Sequence, residues 1–294
     1  MAKSKNWLIL ACIGVILLTA GYFGARYMAK NMAEQKVQEF FAGMDDVVHA
    51  EYGGVDVGLF SREAVVSDLR IAALGGKTIA MDRMVLSRYE EEDGVPRAVT
   101  VRFEGVDVPV TPEYFKESSE FIHKLGYDVL HCDYVMDYAY RKAEQTLDLA
   151  EFSLIVKDAG KLGFSVQLAN VDLDDLAQGG PSAMLVAVDG IEVNYTDDSL
   201  MDRLMKTAAA EERMSEEQLM REANKNMERE IARTRDRGEE FAAQAMSELQ
   251  RFVNERKGLR VSADPKQPVT VLEIIGMKNP QDVIEALGVE VRAQ

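Results

Sequence analysis

The chain has 294 residues, 47% of them hydrophobic and 29% charged, a balance that describes a folding globular protein and excludes a disordered one. Its net charge of −16 excludes a general nucleic-acid binder, since phosphate recognition needs a clustered excess of Lys and Arg, and excludes electrostatic adhesion of the whole body to anionic lipid. The two cysteines, Cys12 and Cys132, fall in an apolar N-terminal stretch and in the body, which predicts no intrachain disulfide and leaves the redox compartment open.

Trp7 to Ala25 carries no charge and is bounded by Lys3 and Lys5 on one side and by Arg26 and Lys30 on the other. At about 1.5 Å per residue, a helix of this length nearly matches the roughly 30 Å hydrocarbon core of a bilayer. The pattern predicts one transmembrane helix within residues 1–26, with Trp7, Leu8, Ile9, Leu10, Ile13, Val15, Ile16, Leu17 and Leu18 as the membrane anchor. The run exceeds the roughly 7 to 15 apolar residues of a signal peptide, and Thr19 to Ala25 matches a small-x-small cleavage site poorly, so retention is expected. Basic residues are nearly balanced across the span. A very short N-terminal tail usually stays in the cytoplasm, which places the body on the far side.

Residues 27–50 are expected to leave the membrane as a juxtamembrane helix over Tyr27 to Met44, with Val37, Phe40 and Phe41 on its apolar side and Gly43 as a stop. From there the period changes to two, and residues 51–198 read as an antiparallel sheet body. Tyr52-Gly53-Gly54-Val55-Asp56-Val57 recurs in altered form as Phe103 to Val108, Leu168 to Leu173 and Val188 to Val193, with Val66 to Ile71 as a looser copy. At Gly105, Asn170 and Gly190 the apolar alternation slips by one residue, as a β-bulge or a tight turn would make it do. Bulges raise local twist, so a strongly twisted sheet is expected.

Thr111 with Pro112 predicts a capped short helix running to about Lys124. The longest clean strand is Val129 to Arg141, with Leu130, Cys132, Tyr134, Met136, Tyr138 and Tyr140 on one face. Strands over Leu147 to Lys157, Lys161 to Leu173 and Ala183 to Tyr195 follow as a meander. Residues 199–257 return to a 3.6 period: one helix over Ser199 to Glu212, then a long amphipathic helix capped by Ser215 and Gln218, with Gly238 as a kink or break, needing the sheet as a surface to cover. Residues 258–294 complete the body as a β/α segment. It contains a strand at Leu259 to Ala263, a stretch at Val269 to Ile275 that fits strand or helix equally, a helix capped by Asn279 and closed by Gly288, and a last strand at Val289 to Arg292.

Catalytic signatures are missing from the sequence. His131-Cys132-Asp133 are consecutive, so in a strand they point to alternate faces and do not converge on a metal. Asp172, Asp174 and Asp175 lack the spacing, Gly and Glu of a calcium loop and read as a solvated strand end. The stripe Leu130, Tyr134, Met136, Tyr138 and Tyr140 has two readings: sheet core beneath a helix, or the lining of an apolar groove for acyl chains.

The N-terminal anchor, the repeated apolar-x-(Gly/Asn)-Val-Asp-Val strands, and Tyr134 to Tyr140 followed by Leu147-Asp148-Leu149 and Lys161 to Val166 together resemble the AsmA-like and YdgA-like proteins of the Gram-negative envelope, over roughly Val37 to Asp202. That resemblance implies an inner-membrane anchor, a periplasmic body, a curved sheet and, in AsmA-like members, a groove linked to lipid transport or envelope homeostasis. The expectation is an α+β, single-pass, non-enzymatic envelope protein that binds phospholipid, acyl chains or another apolar ligand, with no cofactor and no metal. The alternative is a scaffold or assembly factor that meets an envelope protein partner through the long helix or a sheet edge.

Overall fold

The computed structural model describes residues 30–35, 48–58, 61, 63–73, 78–92, 95–177 and 180–294. The expected anchor, Trp7 to Ala25, and most of the helix expected after it lie outside the described residues; residues 30–35 are helical. Among the described residues, no helix is long and apolar enough to cross a membrane. The protein is α+β, with antiparallel strands and several helices, and it divides between Arg88 and Tyr89 into two compact units.

The first unit is built on β3 (Ala64–Ala73), which pairs along one edge with the first part of β4 (Thr78–Glu92) and along the other with β1 (Val48–Glu51) and β2 (Gly54–Val57); the end of β4, from Tyr89, belongs to the second unit. Its strands begin at Val48, before the expected start of the sheet body. Among the described residues of this unit, Val55, Val66, Leu69, Met81 and Val85 are buried, and Leu69, opposite Met81, is wholly removed from water.

The second unit carries β5 (Val95–Pro109), β6 (Val129–Arg141), β7 (Thr146–Val156), β8 (Gly160–Ala169), β9 (Ala187–Asp197), β10 (Gly258–Ala263), β11 (Val269–Thr270) and β12 (Val289–Ala293). Neighbours run β5-β6-β7-β8-β9-β10-β12, all antiparallel, with β11 added to β9. Its helices are α1 (Pro112–Phe115), α2 (Ser118–Lys124), α3 (Leu173–Ala177), α4 (Leu200–Glu211), α5 (Glu216–Asp236), α6 (Glu240–Glu255), α7 (Val271–Gly276) and α8 (Pro280–Leu287), with a 3-10 turn at Pro181–Met184.

Two of the three expected slips are bulges. Phe103 faces Tyr134 and Val106 faces Cys132, so Glu104 and Gly105 share one partner, Asp133; Gly105 has φ 66° and donates its N–H to the Asp133 carboxylate at 2.8 Å. Asp189 is the extra residue of β9, between Gly190 opposite Gln167 and Val188 opposite Leu168. Asn170 differs: it is left-handed, φ 56°, one residue beyond β8, and turns the chain out of the sheet. The strand expected to reach Leu173 therefore stops at Ala169, and Asp172 caps α3 by accepting the N–H groups of Asp174 and Asp175, both at 3.1 Å. A further slip lies in β7, where Ala150 and Glu151 oppose Ser165.

Because each inserted residue re-phases the alternation, a single face stays predominantly apolar across seven strands. Val101, Met136, Phe152, Phe164, Val193, Val261 and Val291 form one cross-strand row of it. The long helix expected over this face is two helices. Gly238, at φ 77°, ends α5, and α6 starts two residues later. Ser215 caps α5 through the reciprocal bonds with Gln218. α6 packs on β10 and β12, setting Phe252 edge-on against Tyr195 with ring centroids 5.8 Å apart, while α5 packs on α6. The helix expected from Pro112 to Lys124 is also divided, at Lys116 with φ 51°, and the Thr111 hydroxyl is buried without making the expected cap. Asn279 and Gly288 do bound α8 as the sequence predicts, and Val269 to Gly276 is a two-residue strand followed by a helix.

Candidate functional site

The stripe on β6 runs along this apolar face, and the structure treats its ends and its middle differently. At one end Leu130, with Val156, packs against the buried cluster of Val110, Leu125, Tyr127 and Ala159, beneath Phe115, Ile122, Leu200 and Leu204 of α1, α2 and α4. At the other end Tyr140 is buried and its phenol donates to the carbonyl of Val171, itself buried, at 3.1 Å. Tyr134, Met136 and Tyr138 lie between and are half-buried.

Register carries the face onward from there. Met136 sits opposite Phe152 and Phe152 opposite Phe164; Tyr134 sits opposite Leu154 and Leu154 opposite Leu162. Phe152 remains 39% exposed and Leu162 44% exposed. α6 covers the face further along, at Tyr195, and α1, α2 and α4 cover its Leu130 end. The middle of β6, β7 and β8 is thus the least covered part of the face. Phe152 and Leu162 were not singled out from the sequence, although the alternation of β7 and β8 places them on the same side as Met136 and Tyr134.

The opposite face is polar. It holds a hollow of about 490 Å³ lined by Ser165, Gln167, Glu192, Arg260, Ser262 and Arg292, and a neighbouring one of about 390 Å³ reaching Glu151, Lys161 and Asn194. Charges there are paired: Arg260 with Glu192, Arg292 with Glu290 at 2.7 Å, and Lys161 with Glu151 at 3.2 Å.

His131, Cys132 and Asp133 point as strand geometry requires. Cys132 is buried on the apolar face, where burial pushes its thiol pKa up, and His131 bonds Asp107 across the strand pair. His123 meets Asp128 at 3.1 Å. Among the described residues, no three His, Cys, Asp or Glu side chains are grouped as metal ligands. Asp175, expected on a solvated strand end, sits in α3 and accepts the Ser182 N–H at 2.9 Å; Ser182 holds its carboxyl below the usual range.

A family model described only as an uncharacterized protein matches residues 153–294. The matched stretch begins within β7 and takes in β8 to β12 and every helix from α3 onward. No curated protein matches the chain.

Proposed function

We propose that the protein is a membrane-tethered, non-enzymatic envelope protein that holds the acyl chain of a lipid, or another apolar ligand, on the β6–β8 part of its sheet. The observation that carries this reading is the exposure of Phe152 and Leu162 on an apolar face that helices cover on either side of them. Fully burying a side chain of this size is worth roughly 1.5–3 kcal/mol, so a ligand that covers the part left open recovers free energy the helices leave unused. The bulges support the same reading, since they re-phase the alternation and keep Phe152, Phe164 and Val193 on the side of Met136. The tether and the envelope location rest on the uncharged stretch from Trp7 to Ala25 and on the resemblance to AsmA-like and YdgA-like proteins.

A photoactivatable fatty acid incubated with the full-length protein in amphipol should label peptides covering β7 and β8. Labelling confined to other segments would reject the site. The scaffold reading draws on a different observation: Met184 of the 3-10 turn, Leu185 just after it, and Leu272 and Ile275 of the adjoining α7 are exposed, a patch of the kind that meets protein partners.

A further inference from the structure

The apolar face has one charged residue in its first row. Arg97 alternates with Val99 and Val101 along β5, and the register of Ala98 with Ala139 sets it beside Tyr140. Its guanidinium carbon lies 5.0 Å from the Tyr140 ring centroid. The residue is only 8% exposed, and none of its three guanidinium nitrogens has a hydrogen-bond acceptor. A buried guanidinium presents five N–H donors, and a charge taken out of water without matching bonds is costly. Such a group in a native protein calls for a reason.

One carboxylate approaches it. Glu92 Oε2 is 3.3 Å from Nε, as an ion pair without hydrogen-bond geometry. The Glu92 side chain is itself 62% exposed, so it reaches in from solvent.

We propose that Arg97 is the headgroup end of the apolar site and that its ligand is a single-chain carboxylate, a fatty acid whose carboxylate takes the place of Glu92 and forms the paired N–H bonds that Glu92 does not make. The proposal rests on the apolar-site reading above. Tyr138 links the two parts: it is half-buried, its phenol reaches the Pro96 carbonyl at 3.4 Å, and the Arg97 charge opposes the rise that burial gives its pKa. From Tyr138 the chain of the ligand continues over Met136 and Phe152 to Leu162. That diagonal spans four residues along β6 and two strands across, roughly 16 Å at the usual strand rise and spacing. A carboxylate fits better than a phosphate because Asp174 also feels the Arg97 charge, after that of Lys142, and Glu90 and Glu91 adjoin Glu92 in sequence. Those acids disfavour a more highly charged head.

The test compares three probes that share one chain, namely laurate, dodecanol and dodecyl phosphate, by equilibrium binding to the full-length protein in amphipol. Laurate is expected to bind at least tenfold more tightly than dodecanol and more tightly than dodecyl phosphate. Arg97→Met should reduce laurate to the level of dodecanol, and it should fold, since replacing a poorly paired buried charge by an apolar residue of similar length is tolerated or stabilising. If the variant does not fold, the order of the three probes on the unmodified protein decides alone. Equal binding of laurate and dodecanol would overturn the role of Arg97 while leaving the apolar site; tightest binding of dodecyl phosphate would overturn the carboxylate; failure of all three to bind would overturn the apolar site as well.

Discussion

Gly54, Gly105 and Gly190 occupy the same place in the repeated strand pattern, yet only Gly105 has a positive φ, at 66°. Gly105→Ala therefore forces an L side chain into a left-handed backbone, at a cost of about 1–2 kcal/mol. The chain has no cheap escape. Removing the bulge would move Val106, Val108 and Val110 to the polar face, and Val106 and Val110 are buried. The strain must be carried, together with any disturbance of the Gly105 N–H bond to Asp133. For a unit of this size, about 1 kcal/mol shifts the melting temperature by roughly 2–4 °C, so a fall of about 2–8 °C is expected. Gly54→Ala and Gly190→Ala are the controls. A Cβ on Gly54 meets nothing within 4 Å, and one on Gly190 makes ordinary contact with Gln167 at 3.5 Å; each should change stability by less than about 0.5 kcal/mol. The assay is thermal unfolding of the full-length variants by circular dichroism. Equal shifts for all three glycines, or none at Gly105, would refute the assignment of the bulge.

Tyr140→Phe should cost about 1–2 kcal/mol, because it leaves the buried Val171 carbonyl without its donor; urea unfolding measures it, and an unchanged midpoint would contradict the contact. Cys132 should resist maleimide in the folded protein and react on unfolding, since the thiol is buried and its pKa pushed up; prompt reaction would mean that the apolar face opens. The Asp175, Glu239 and Glu273 carboxyls are held below their usual range by Ser182, Arg237 and Thr270 respectively. A depressed folded-state pKa contributes stability above the unfolded value that is lost as pH falls through the folded value, so acid loosening should begin only below about pH 4. Asp175→Asn should flatten that acid dependence in a circular dichroism titration, and onset of loosening at a higher pH would count against these bonds.

Local chemistry explains which features could be read from the sequence. The slips at Gly105 and Gly190 are visible because the apolar alternation inverts across each. The same inversion misleads at Asn170, where Val171 continues the strand pattern but its N–H bonds Gln145 and its side chain is buried after the chain has left the sheet. β4 gave no signal: its last third, Arg88-Tyr89-Glu90-Glu91-Glu92, is polar on both sides. Gly238 announces the helix break because no other residue type enters that conformation so readily. Thr111 is a suitable cap by type, but its hydroxyl turns inward. Placing Phe152 and Leu162 on the apolar face needs only alternation, whereas their exposure depends on where α4 and α6 lie across the sheet. The burial of Arg97 against Tyr140 is likewise tertiary.

Cysteine protection reads directly whether ligand covers the middle of the apolar face. Phe152→Cys and Leu162→Cys, each made in a Cys12→Ser background, would be reacted with maleimide with and without saturating stearate, whose longer chain extends from Arg97 as far as Leu162, alongside Thr196→Cys on the opposite, exposed face. Stearate should slow labelling at 152 and 162 and leave 196 unchanged. Undiminished labelling at 152 and 162 with stearate bound would show that the ligand does not lie on this face.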